Sequence, residues 1–280
     1  MFSMSTHTGF AMEFLKEAQR ATLKTNTYIN DNGDSLVDLL LLLVTPLVAI
    51  DVLRQFFAPD SITWIGMSFI YISIFMLIPT LWLRSTVETK DPERDLISYL
   101  GSGKTYLTNL ILILVTISYL KIPDLAQFFD GLIGAYFPDG FAYTGIVLTI
   151  IMSLIFLRLS FLIPLYISGL DLSYKQALEA TKGKSLALAT TIIRSALPLI
   201  LFAAIYALFI VPWAEQTIFA EVSSKTITMI LLAPVKYLVF PLILIYAFTA
   251  LAYHYANYAK QYLVMHKDDA KKPPKKKEMH

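Results

Sequence analysis

Six long apolar stretches leave this chain few ways to fold: Leu36 to Phe56, Ile62 to Leu83, Tyr106 to Leu120, Thr144 to Ile167, Leu186 to Val211 and Thr226 to Ala252. A bilayer core about 30 Å thick needs about 20 helical residues to cross it, and only the third stretch is short of that length. Backbone N–H and C=O groups find no water in hydrocarbon, so a segment that spans it satisfies them internally, as a helix. The pattern predicts an all-α polytopic membrane protein built on six transmembrane helices.

Lysine and arginine orient that bundle. With the amino terminus inside, the inner segments hold Lys16, Arg20 and Lys24, then Arg84, Lys90, Arg94 and Lys104, then Lys175, Lys182 and Lys184, and finally the lysines from Lys260 to Lys277. Only Arg54, Lys121 and Lys225 fall on the outer side, so the positive-inside rule places both termini in the cytoplasm. The formal net charge of +2 averages this basic face with an outer face that carries Asp60, Asp124, Asp130, Asp139, Glu215 and Glu221. A soluble domain of 280 residues does not carry 56% hydrophobic residues. With no cysteine, disulfides, thiolate metal sites and cysteine nucleophiles are excluded. The first 30 residues mix acids with bases and precede any apolar run, so no cleaved signal peptide is expected.

Three regions follow: a cytoplasmic amphipathic lead at 1–35, a six-helix transmembrane domain at 36–265, and a disordered basic tail at 266–280. In the lead, Phe14, Leu15, Ala18 and Leu23 recur at helical spacing, which predicts a surface helix over Met12 to Leu23, ended by the turn Asn30 to Gly33. Short inner helices are also expected around Leu96 to Leu100 and Tyr174 to Leu178. Each leads into a span through a similar junction, Gly103-Lys104-Thr105 or Gly183-Lys184-Ser185, and the return spans share Leu-Ile-Pro or Val-Phe-Pro runs ending at Pro79, Pro164 and Pro241. A threefold repeat of surface helix plus hairpin is one reading of this, and chance similarity is the other. On the outer side, Leu125, Phe128, Phe129, Leu132, Ile133 and Tyr136 predict an interfacial helix between Pro123 and Pro138. Trp213, Ile218, Phe219 and Val222 suggest a second.

Gly101-Ser102-Gly103-Lys104-Thr105 resembles the end of a phosphate-binding loop, but Ser98 stands where the first glycine belongs and no strand precedes it. A helix break with a lysine at the headgroups is the better reading. Lys104, Lys182 and Lys184 are candidate contacts to anionic lipid on the cytoplasmic side. Arg158, Arg194 and Lys236 lie well inside their spans, and each charge would cost about 3 kcal/mol in the bilayer without a partner or water. Arg158 and Arg194 fall at similar depth and are candidates for an anion-attracting pocket, while Lys236 is placed to pair with Asp51 across the bundle. Snorkelling to headgroups or static ion pairing is the plainer alternative. Prolines 46, 79, 164, 198, 234 and 241 are read as kinks that serve packing. His254 stands among Tyr253, Tyr255, Tyr258 and Tyr262, as in an aromatic belt. No catalytic set, cofactor motif or metal cluster stands out, and no nucleic-acid partner is expected.

The stretch from Arg158 to Lys184 resembles a region of the YciC-like bacterial inner-membrane proteins and of the membrane domain attached to some glycerophosphodiester phosphodiesterases. Arg158, Pro164, Ala177, Leu178, Lys182 and Gly183 carry the resemblance. Glu179, Ala180 and Thr181 depart from it where a Ser-Trp pair commonly follows the Ala-Leu pair. The resemblance implies a six-span protein of the bacterial cytoplasmic membrane associated with envelope maintenance. The leading expectation is a non-enzymatic scaffold or accessory subunit that contacts membrane lipids and other membrane proteins or copies of itself. The alternative is a transporter or lipid-handling protein, and a membrane enzyme comes third.

Overall fold

The computed structural model describes residues 5–59, 61–87, 100–134, 144–168, 174–217 and 224–265. Every secondary-structure element among them is helical. Five helical runs are long and apolar enough to cross a membrane: Gly33–Arg54, Ile62–Val87, Ile146–Ser168, Ser185–Thr217 and Ile230–Ala259. The chain is an all-α, multi-pass membrane protein. The third expected span, in helix α4 (Gly103–Leu120), has a shorter apolar portion, Gly103–Ser118, as its short apolar run implies.

Helix α1 (Ser5–Asp31) is much longer than the expected surface helix. The polar run from Asn30 breaks it only at Asn32, whose backbone sits at φ −112°, ψ 27°, and α2 (Gly33–Arg54) starts at once. Asn32 bridges the joint: its N–H and its Nδ2 both donate to the Tyr28 carbonyl, at 3.2 and 2.8 Å, and its own carbonyl accepts from Leu36. Because α1 presents Ala18, Ala21, Thr25 and Ile29 as a buried stripe, it packs closely on the bundle, while Leu15 and Leu23 remain exposed. Small side chains let helix backbones approach, which matters where lipid competes with protein for apolar contact.

Helix α3 (Ile62–Val87) pairs with α2, and α12 (Phe240–Met265) packs on α1, α3 and α9 (Ser185–Ile205). α12 is the hub. Its Ile245 joins Leu39, Leu47, Ile78 and Trp82 in one core, its Ala250 and Tyr255 join Phe161 and Leu188 in a second, and its Ala252 joins Leu83, Ile113 and Ile167 in a third. The polar end of the buried Trp82 ring is satisfied by Thr249, whose Oγ1 accepts its Nε1–H at 2.8 Å.

Two wide turns interrupt the long helices. The π-helical turn Tyr206–Ile210 links α9 to α10 (Val211–Thr217), and Val235–Val239 links α11 (Ser224–Pro234) to α12. Each is followed two residues later by a proline, Pro212 and Pro241. A proline has no N–H and its ring crowds the carbonyl four residues back, so widening the preceding turn relieves the clash. The fourth expected span is also broken: α6 (Thr144–Leu159) stops at Ser160 and α7 (Leu162–Ser168) resumes with Pro164 in its first turn. The expected interfacial helices are present in part as α5 (Ile122–Gly134), with Leu125 and Phe128 exposed, and as α10, with Trp213 exposed. Tyr174–Ala180 forms the short helix α8. Residues 88–99, 135–143, 169–173, 218–223 and the tail from 266 lie outside the described residues, and with them most of the helix expected around Leu96.

Candidate functional site

The densest set of charges within the spans lies where α2 ends, α3 begins and the second π turn passes. Lys236 Nζ is 2.5 Å from Asp51 Oδ2, and Tyr237 donates its hydroxyl to the same oxygen, also at 2.5 Å. Arg54 Nη2 donates to the other carboxylate oxygen at 3.0 Å, and Arg54 Nη1 donates to Ser68 Oγ at 3.2 Å. One carboxylate therefore faces two cations. The surplus positive charge rests on ring faces: Arg54 lies 5.0 Å from the Trp64 ring and 5.6 Å from Tyr71, and Lys236 lies 5.1 Å from both Tyr71 and Tyr237. The Asp51 side chain is 15% exposed and Lys236 37%, so the carboxylate is the enclosed member. Placing Lys236 and Tyr237 side by side on this oxygen depends on the π turn, which adds a residue to the helix and shifts its face.

Arg158 and Arg194 are not joined by any contact among the described residues. Arg158 ends α6 and donates to the Leu178 carbonyl near the end of α8, tying the short helix to the span. Arg194 is exposed on α9, on a face it shares with the exposed Ile193, Leu197 and Leu201. Arg158 is engaged by the α8 backbone, whereas Arg194 points outward from α9.

Of the three lysines expected at headgroups, Lys104 donates to the Ile167 carbonyl at 3.3 Å, Lys184 pairs with Glu17 at 3.2 Å, and Lys182 is exposed beside Gly183. Gly183 has φ +76°, a left-handed conformation that lets the chain turn sharply between α8 and α9. Thr105 accepts from Arg84 Nη1 at 2.7 Å in a buried position, so the Gly-Lys-Thr junction is occupied by helix-to-helix contacts.

A second polar set joins residues remote in sequence. Tyr258 donates to Glu17 of α1, His254 Nδ1 lies 2.8 Å from the Tyr258 hydroxyl, and His254 Nε2 lies 2.8 Å from Thr191 Oγ1. Lys184 stands over the Tyr258 ring at 4.8 Å as it reaches Glu17. With Tyr258 giving its one proton to Glu17, the Tyr258 oxygen accepts from His254 Nδ1, which leaves Nε2 facing the Thr191 hydroxyl. Thr191 is equally close to the Ala187 carbonyl, 2.8 Å, and its single proton serves one acceptor at a time. The i, i+4 spacing of His254 and Tyr258 on α12 is the only local sign of this chain; its carboxylate comes from 241 residues away in sequence.

Among the described residues no group of three or more His, Cys, Asp or Glu is arranged to hold a metal ion. Comparison with protein-family models, with curated proteins and with solved structures gives no match to the chain.

Proposed function

We propose that this protein is a non-enzymatic integral membrane component, a scaffold or accessory subunit that holds other membrane proteins, and that it belongs to the six-span envelope proteins its Arg158 to Lys184 region resembles. The observation that carries this reading is the commitment of the intramembrane charges. Asp51, Arg54, Lys236 and Tyr237 satisfy one another, and Arg158 is tied to the α8 backbone. A transport site needs groups that exchange partners; these groups hold helices together. Arg194 is the exception, and its exposed, otherwise apolar face on α9 suits a partner helix that carries a carboxylate.

In this reading α4 completes six spans, both termini lie in the cytoplasm of a bacterial inner membrane, and α1 with the basic tail meets anionic lipid. The orientation is supported by the grouping of Lys16, Arg20, Lys24, Lys104, Lys182 and Lys184 toward the end of the bundle where α1 packs. Reporter fusions at each connecting segment test the topology, and an outward terminus would overturn it. Copurification from native membranes, with a photo-crosslinker at Leu197, tests the function. A stoichiometric crosslinked partner is expected. A lone oligomer carrying only lipid would overturn the scaffold reading in favour of lipid handling or transport.

A further inference from the structure

A cleft of about 410 Å³ opens between α1, the last turn of α3 and α12, at the end of the bundle where α1 packs. That volume is within the range of small-molecule sites. Lys24, Tyr28 and Asp31 line it from α1 at i, i+4 and i+7, so they share one helix face, and Thr86 and Tyr253 close it from α3 and α12. Thr25, 1% exposed, stands in the same wall with an Oγ1 that has no hydrogen-bond partner among the described residues.

The charges define what fits. Seven helical residues put Lys24 and Asp31 about 10 Å apart along the α1 axis, too far for them to pair directly and about one Debye length in ordinary salt. Neither makes an ion pair among the described residues. A purely anionic ligand would meet Asp31, and a purely cationic one would meet Lys24. A molecule with an anion at one end and an ammonium at the other satisfies both. Tyr28 and Tyr253 supply aromatic walls for the carbon linking the two charges.

We propose that this cleft binds a zwitterionic phosphate–ammonium group, the chemistry shared by a phosphatidylethanolamine headgroup and free phosphoethanolamine, with the phosphate on Lys24 and the ammonium on Asp31. This site is independent of the scaffold reading and of the ion cluster at the other end of the bundle.

The test uses the purified full-length protein in detergent, titrated with phosphatidylethanolamine or phosphatidylglycerol and followed by native mass spectrometry. Phosphatidylethanolamine is expected to be retained over phosphatidylglycerol, and Lys24→Gln to lower its retention about tenfold, the scale of a lost charge-assisted hydrogen bond. Asp31→Asn should invert the preference, because it removes both the ammonium's partner and the repulsion of an anionic headgroup. Lys121→Gln, just before α5 and outside the cleft lining, should change nothing, and circular dichroism checks that each variant is folded. Equal retention of the two lipids by the unaltered protein, or a preference that survives Asp31→Asn in a folded variant, would overturn the proposal. Competition by millimolar phosphoethanolamine identifies a headgroup site open to the soluble molecule; retention of the lipid despite it identifies the lipid itself as the ligand.

Discussion

Lys236 and Asp51, 185 residues apart in sequence, meet at 2.5 Å and join the second π turn to the end of α2. The contact closes the bundle from its first long apolar helix to its last. It also shows how a membrane bundle places charge: Asp51 gathers Lys236, Arg54 and Tyr237, so the cost of removing each from water is offset by the others and by the aromatic faces beside them.

A double-mutant cycle measures that coupling. Lys236→Leu is expected to lower stability by about 3 kcal/mol, and Asp51→Leu by more, because it leaves both Lys236 and Arg54 without their carboxylate. The double variant should recover part of the loss. Thermal unfolding in detergent provides the readout, and additive effects would show that the two groups do not stabilise one another.

The proline after the π turn offers a second handle on the same contact. Restoring an N–H by Pro241→Ala lets the helix close to ordinary α geometry, which takes one residue out of the wide turn and swings Lys236 away from Asp51. The coupling measured by the cycle should then fall by at least half in the Pro241→Ala background, by the loss of a direct ion contact. Unchanged coupling would assign the wide turn to packing of α12 and not to the proline.

What sequence alone revealed was governed by range and by periodicity. Long apolar runs announce helices because hydrocarbon leaves the backbone no other partner, so α2, α3, α9 and α12 could be located directly. Lys236 and Asp51 stood out as charges within such runs, each needing a partner at similar depth. Arg54 reads in the sequence as a simple outer charge, although its i, i+3 spacing from Asp51 on α2 is a local sign of the pair that the structure forms. The break at Ser160 was hidden because Leu159, Phe161 and Leu162 keep the run apolar through it. In sequence His254 resembles part of an aromatic belt; its link to Glu17 depends on α1 packing against α12, and a buried Ala18, Ala21 and Thr25 stripe is a weak signal beside the louder Phe14, Leu15 and Leu23 pattern.

That packing is testable through Tyr258. Its hydroxyl connects Glu17 on α1 with His254 on α12, and phenylalanine keeps the ring while deleting both bonds. Because the chain is largely buried, Tyr258→Phe should cost about 1–3 kcal/mol and speed amide hydrogen exchange in α1 more than in α2 or α3. Glu17→Gln retains an acceptor for Tyr258 and should have the smaller effect. Equal exchange in α1 for Tyr258→Phe and the unaltered protein would show that the Ala18 and Ala21 contacts hold α1 without the polar chain.

Arg158 and Arg194 provide the last prediction, because the same substitution should act oppositely at the two positions. Leucine removes a charge from a span in both cases, which favours insertion by about 3 kcal/mol where the charge is near the bilayer centre. Arg158→Leu also leaves the Leu178 carbonyl only the long 3.4 Å bond from the Thr181 hydroxyl and removes the tie between α8 and α6, so its thermal stability should fall despite easier insertion. Arg194 is exposed on α9 and makes no such tie among the described residues, so Arg194→Leu should insert as well or better and keep its unfolding temperature. Its effect should appear in assembly, as a loss of the partner crosslinked through Leu197. If both variants unfold earlier, Arg194 holds a contact within the protein and the outward face is not where a partner binds; if neither does, the Arg158 tie to α8 contributes no stability and α8 is held by packing alone.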